Sequence, residues 1–347
     1  MKNKRLLMLI GSLCLILVLA ALLLPACAKE EAPAEVGEPT YHWKLAQPWP
    51  AEHPSGIASA KFAERILEAS DGRIVIDVHY AGILGDWMAT IGEVMKGTIE
   101  MSVVWPPTVY DPRADLVNLP GLLTTWEDVT DNLGLGKPLL ELYAGIGRGL
   151  GYEIVAVFNS GFSGVATSKV IPSPADPDVP KGLKIRHWAA KPPELLLTRF
   201  GFTTTIIPMA DLYTAMEVGV VDGFYGYDIF GAYDAMRDVI THWYDYRFYL
   251  YFDETIFNID LWNALSPADQ KIIKDAGLAL ERERNEELIE MEKAYEQKLT
   301  DYGIEVIKFT DEEYAMFREV LIGDVWPELE PIIGKKLMDD AAAIVGQ

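Results

Sequence analysis

Between residues 41 and 105 the chain alternates strand and helix patterns, and this alternation restricts the fold more than any other feature. Residues 41–47 alternate as a strand does, until Pro48, Pro50 and Pro54 break the run. Residues 59–69 place Phe62, Ile66 and Ala69 at helical spacing. Asp71-Gly72 signals a turn, and residues 73–80 read as the next strand. A helix over about residues 86–96, capped by Gly97, leads to a strand over 99–105 that Pro106-Pro107 stops. Strands and helices in units of this length specify an α/β protein with a mostly parallel sheet.

The pattern restarts downstream. Strands are expected at 151–159, 161–168 and 183–187, with a Pro-rich loop at 171–180. Helices are expected at 193–200, 211–218 and 231–240, with a strand beginning at Val220-Val221. Two α/β units in one chain predict two lobes around a central crevice, where such sheets bind ligands. Ser266-Pro267-Ala268-Asp269 is a strong helix start, and that helix runs to about residue 299. Its charge-rich stretch reads as a solvated face. Thr310 to Glu313 form a capping-box pattern for a further helix.

The N-terminus reads as an address. Lys2, Lys4 and Arg5 precede an apolar run over residues 6–24, which is followed by Pro25, Ala26 and Cys27. Leu24-Pro25-Ala26-Cys27 resembles a bacterial lipobox, although Pro25 departs from the small or β-branched residue usual there. A lipidated Cys27 after a signal peptide over residues 1–27 is favoured over plain secretion or an uncleaved anchor. Residues 28–40 then form a flexible tether to an extracytoplasmic body at the periplasm or cell surface. Both cysteines, Cys14 and Cys27, lie in this leader, so the mature chain has no free thiol for catalysis or metal binding. The formal net charge is −22. It becomes −25 once three leader cations are removed, which argues against a nucleic-acid partner.

Enzyme signatures are weak. Gly161-Phe162-Ser163-Gly164-Val165 nearly matches a nucleophile elbow, but Val165 replaces the second glycine. Gly145, Gly147, Gly149 and Gly151 precede a strand, whereas a dinucleotide loop follows one, so they read as a turn. His42, His53, His79, His187 and His242 show no paired metal spacing, and no cofactor or metal is expected. Arg186 stands apart. It ends a short apolar strand directly after the Pro-rich segment, where its planar fork is able to meet a ligand carboxylate.

The body resembles the solute receptors of tripartite ATP-independent periplasmic (TRAP) transporters, the dicarboxylate-binding-protein-like family. The resemblance is carried by FAERILEASDGRIVIDVHYAGILGD (62–86), VMKGTIEMSV (94–103), NLPGLL (118–123), SKVIPSPADPDVPKGLKIR (168–186), GFTTTIIPMADLYTAMEVGVVDG (201–223) and NIDLWNALSPADQ (258–270). It covers roughly residues 43–276. It implies a periplasmic-binding-protein-like fold, with two α/β lobes joined by crossing strands and a long helix. Residues 41–160 with about 250–290 would form lobe I, and 161–249 with about 291–347 lobe II. Arg186 falls on the family's carboxylate-gripping arginine. The implied partners are a small carboxylate and the membrane permease subunits.

Departures from the family inform the ligand. Many relatives carry a second arginine shortly after the strand ending near Asn159, where this chain has Gly161-Phe162-Ser163-Gly164. Relatives often have an acid and an Asn where this chain has Phe224-Tyr225-Gly226-Tyr227, and Trp105 stands where some have an acid. With Arg186, the residues Trp105, Phe162, Phe224, Tyr225 and Tyr227 are therefore candidate ligand contacts. They suggest a monocarboxylate with an apolar or aromatic body. The reading is a binding receptor, not an enzyme. A lipoprotein feeding a sensor and, further off, a secreted α/β hydrolase are the alternatives.

Overall fold

The computed structural model describes residues 39–346. The expected signal peptide, Cys27 and the expected tether as far as residue 38 lie outside the described residues. The first sheet has the order β2-β1-β3-β10-β4, comprising β1 (Tyr41–Ala46), β2 (Ile74–His79), β3 (Met101–Val104), β4 (Tyr152–Phe162) and β10 (Leu250–Asn258). The second has the order β11-β9-β5-β8-β6-β7. Its members are β5 (Val165–Thr167), β6 (Lys184–His187), β7 (Thr203–Ile206), β8 (Gly223–Tyr225), β9 (His242–Tyr244) and β11 (Glu305–Ile307).

The expectation of mostly parallel sheets is corrected: both are mixed. β1 runs parallel to β2 and β3, but β10 is antiparallel to β3 and β4. In the second sheet β6 is parallel to β7 and β8, while β5 is antiparallel to β8 and β9. The cause is topological. β4 leads into β5 and β9 into β10, so these strands arrive from the other lobe and escape the parallel constraint of a helical crossover. The two crossing segments are bonded to each other: Ser163 N–H donates to the Tyr249 carbonyl and Arg247 N–H to the Ser163 carbonyl, each at 2.9 Å.

The helix Pro267–Tyr302 unites the lobes. Ser266 caps it by accepting from Asp269 N–H, and Gly303, at φ 96°, ends it in the left-handed conformation that glycine tolerates. Ile273, Ala276 and Leu280 pack into the core of the first lobe with Trp43, Phe62 and Phe257. Leu288 and Leu299 pack into that of the second with Phe224, Phe230 and Trp243.

Two local readings change. The helix Pro54–Ala69 starts earlier than its apolar spacing implies, because His53 accepts from Ser55 N–H and Pro54 opens the first turn. The alternating glycines belong to the helix Pro138–Leu150 and its cap, not to a turn. Gly147 lies where a Cβ would stand 2.5 Å from the Tyr152 ring, so packing explains a residue that composition alone assigns to loops.

Beneath the first sheet, Glu254 is fully buried. Its Oε1 accepts from the Tyr143 hydroxyl at 2.8 Å, while Oε2 has no partner. Burial pushes this carboxyl up to about 8, partly opposed by the Tyr143 hydrogen bond. A folded-state value above the unfolded one gives stability that is full below the unfolded value and lost as pH rises through about 8. Thermal melts should therefore fall by several degrees between about pH 5 and pH 8. Glu254→Gln, which keeps the acceptor for Tyr143, should reduce that slope, the rest coming from other buried carboxyls raised the same way, Asp228, Asp253 and Glu292; an unchanged slope would remove Glu254 as a source.

Candidate ligand-binding site

β6, between β7 and β8 in the second sheet, carries Arg186 opposite Thr205 of β7 and Phe224 of β8. Its side chain is 3% exposed. Nε donates to the Ile207 carbonyl at 2.8 Å, and Nη1 lies 3.4 Å from the Tyr225 carbonyl. Among the described residues no carboxylate forms an ion pair with it. Burial lowers its pKa, and the facing hydroxyls of Tyr227, Tyr251 and Tyr249 only partly compensate. A buried cation held by carbonyls alone is an incomplete site, since desolvation of a charge is costly until an anion arrives.

Glycine makes room for it. A Cβ on Gly226 would stand 2.8 Å from Arg186 Nη1 and 3.1 Å from the Trp188 ring, and Gly226 has φ 123°. Around the guanidinium stand aromatic rings. Trp188 stacks on Tyr225 at 5.7 Å and meets Tyr249 edge-on at 5.7 Å. Tyr249 donates to the Tyr251 hydroxyl at 3.0 Å. Tyr225 is fully buried, its hydroxyl 3.0 Å from Ser163 Oγ, which also accepts from Tyr249 N–H. The serine of the elbow-like motif is thus held by the crossing strands.

The predicted residues separate into groups. Tyr225 lies with Arg186, and Tyr227 faces it too while its ring also meets Phe224 edge-on at 5.3 Å in the core of the second lobe. Phe224, on the opposite face of β8, packs in the core of the second lobe. Phe162 lies against Trp126 at 4.9 Å, with the Arg247 guanidinium over its ring at 5.4 Å. Beside it Glu292 accepts from Trp126 Nε1 at 3.2 Å, and burial pushes its carboxyl up to about 7. Trp105, half-buried, meets Trp49 and Trp87 edge-on at 5.6 and 5.1 Å.

Near Trp105 lies a polar floor that sequence reasoning missed. Asp253 on β10 is 2% exposed, and its Oδ2 has no partner. Burial pushes it up to about 6, moderated by Ser55, Arg284 and the indoles of Trp105 and Trp49. Asp228 caps the helix Ile229–Met236 by accepting from Gly231 N–H at 2.7 Å, and burial raises it to about 7. Arg284, from the middle of the long helix, donates to the Asn159 carbonyl at 2.9 Å. Trp188, Tyr249 and Tyr251 were missed as well. The spacing of Arg186 and Trp188, and of Tyr249, Tyr251 and Asp253, is the two-residue period of one strand face, and it offered the available signal. Among the described residues no group of three His, Cys, Asp or Glu is placed to hold a metal.

Two lobes on a connecting helix, with a buried arginine between aromatic rings, define a cleft-type ligand receptor. The sequence model of the bacterial extracellular solute-binding protein family 7 (DctP) matches residues 45–329, and the chain belongs to that family. It is a solute-binding receptor of the TRAP type. The C4-dicarboxylate-binding periplasmic protein DctP of Vibrio cholerae is 24% identical over 312 residues, covering 84% of this chain and 87% of that protein. A TRAP periplasmic solute-binding protein of Ochrobactrum anthropi superposes with a TM-score of 0.80 at 22% identity, over 88% of this chain and 95% of the other. That of Desulfovibrio salexigens, solved with bound orotic acid, gives 0.77 at 19% identity, over 88% and 100%.

Proposed function

We propose that this receptor captures a monocarboxylate with an apolar or aromatic body and hands it to TRAP membrane permease subunits. Arg186 carries the reading: it is a buried cation with no acidic partner among the described residues, set between Trp188, Tyr225, Tyr227 and Tyr251. The ligand carboxylate supplies the missing charge through a two-pronged pair, and the rings cover its body. Closure needs no covalent step, because only the closed form touches the ligand from both lobes. That a relative was solved with orotic acid, a planar acid, is consistent with this class. Attachment to the membrane through Cys27 belongs to the same proposal, and an unmodified, freely released mature chain would remove it.

The test is a thermal-shift screen of the purified chain against organic acids. Saturation at about 100 times the dissociation constant stabilises a fold by about 2.7 kcal/mol, a shift of several degrees. Aromatic and branched monocarboxylates should give the largest shifts. Tight succinate binding with those acids inert would overturn the ligand class.

A further inference from the structure

A small recess opens beside the anchor, with room for about one water-sized group, lined by His53, Ser55, Asn159, Asp228, Phe230 and Arg284 among others. Tyr227 joins it to the Arg186 site: its neighbour Gly226 packs against Arg186 Nη1, its neighbour Asp228 lines the recess, and a Cβ on Gly231 would stand 2.4 Å from its ring and 3.4 Å from Asp228 Oδ1. Its walls come from both lobes and the long helix, as expected of a place a ligand reaches only on closure.

The polar atoms here are not self-satisfied. Asn159 is fully buried; its Nδ2 donates to Asn285 Oδ1 at 2.8 Å, but its own Oδ1 has no partner. Arg284 spends Nε on a backbone carbonyl and Nη1 on the Met291 sulfur at 3.1 Å. Asp228 and Asp253 attract its charge, yet among the described residues neither comes within ion-pair distance of it. Buried polar atoms left in this state call for a partner from outside the chain.

We propose that Asn159, Asp228 and Arg284 form a second subsite, which takes an uncharged hydroxyl at the end of the ligand remote from its carboxylate. The proposal rests on the Arg186 reading and extends it. Charge decides the chemistry. A second carboxylate would face Asp228 and Asp253, and an ammonium would face Arg284. A hydroxyl donates to Asn159 or Asp228 and accepts from Arg284, which satisfies both kinds of group at once. The helix dipole is subsidiary: Asp228 already occupies the N-terminus of its helix.

Calorimetric titration of the full chain with three acids sharing one body tests this: para-hydroxymethylbenzoate, para-ethylbenzoate and terephthalate. A second trio on an unbranched aliphatic body covers a misfit of the ring. The hydroxyl acid should bind at least about tenfold tighter than its ethyl analogue, because a site built for a hydroxyl is left unpaired without one. The dicarboxylate should bind weakest. In Arg284→Met the ratio of the first two should collapse toward one, with Arg284→Lys partly restoring it. Asp228→Asn, which keeps the helix cap, replaces Arg284→Met if that variant does not fold. A ratio near one in the unaltered chain, a preference for the dicarboxylate, or a ratio indifferent to these variants overturns the proposal. So does failure of both hydroxyl acids to bind at about 10 mM. Failure of the anchor is a different result: every acid would then bind Arg186→Met as it binds the unaltered chain.

Discussion

Arg186→Met should abolish ligand-induced stabilisation for every carboxylate that the unaltered protein binds. Truncating one partner of a buried, hydrogen-bonded charge pair costs about 2–5 kcal/mol, a loss of about thirtyfold to several thousandfold in affinity. The high end is expected here, since Arg186 is 3% exposed and water does not replace the lost contact. Arg186→Lys should fall between, because an ammonium keeps the charge but not the planar fork. The free protein should be much less affected. Removing the guanidinium leaves the Ile207 and Tyr225 carbonyls without their donor, but it also removes a buried charge that no carboxylate neutralises. These effects oppose each other, so the unliganded melt should move by only a few degrees while the ligand-induced shift disappears. Calorimetry and thermal melts on the same samples separate the outcomes. An undiminished shift in Arg186→Met would remove Arg186 from the site.

How far this site was legible depends on which residues are neighbours along the chain. Arg186 could be singled out because a short apolar strand ends there, and a ligand cleft forms at strand ends. Tyr225 and Tyr227 lie two residues apart around Gly226, and the structure places both with Arg186. Phe224 lies between them and Gly223, on a strand whose side chains alternate, and so it turns to the core. Nothing local distinguishes its face from that of Tyr225. Asp253 and Arg284 were illegible for another reason. They come near each other only because β10 returns from the other lobe beside β4 and the long helix packs on β4, an arrangement that no periodicity encodes. The same returning strands explain the sheets: strand and helix alternation was readable between residues 41 and 105, but the antiparallel entry of β10 and β5 was not. The lobe limits suggested by the family resemblance remain a proposal, testable by limited proteolysis of the crossing segments.

Gly277→Ala should destabilise the protein by about 1–3 kcal/mol, lowering its melting temperature by about 2–6 °C. Helix propensity alone predicts the opposite, since alanine is favoured over glycine by about 1 kcal/mol in a helix interior. The decision lies in the packing of the long helix on β4. A Cβ on Gly277 would stand 2.3 Å from the Val155 carbonyl oxygen and 2.9 Å from Leu135 Cδ1. The side-chain contact is able to yield, but the backbone oxygen belongs to Val155, the extra residue of a β-bulge held on both sides by β10, Ile154 opposite Ile256 and Ala156 opposite Thr255. The helix must therefore lift, weakening the burial of its neighbours Ile273, Ala276 and Leu280, all 6% exposed or less. Gly145 supplies the control. It sits in the exposed face of the helix Pro138–Leu150, and nothing lies within 4 Å of its Cβ position. Gly145→Ala should leave the melting temperature unchanged or raise it by about 1–2 °C. Opposite signs from the same substitution separate close approach from propensity, and a Gly277→Ala protein that melts with or above the parent would show that the helix does not rest on β4 at this distance.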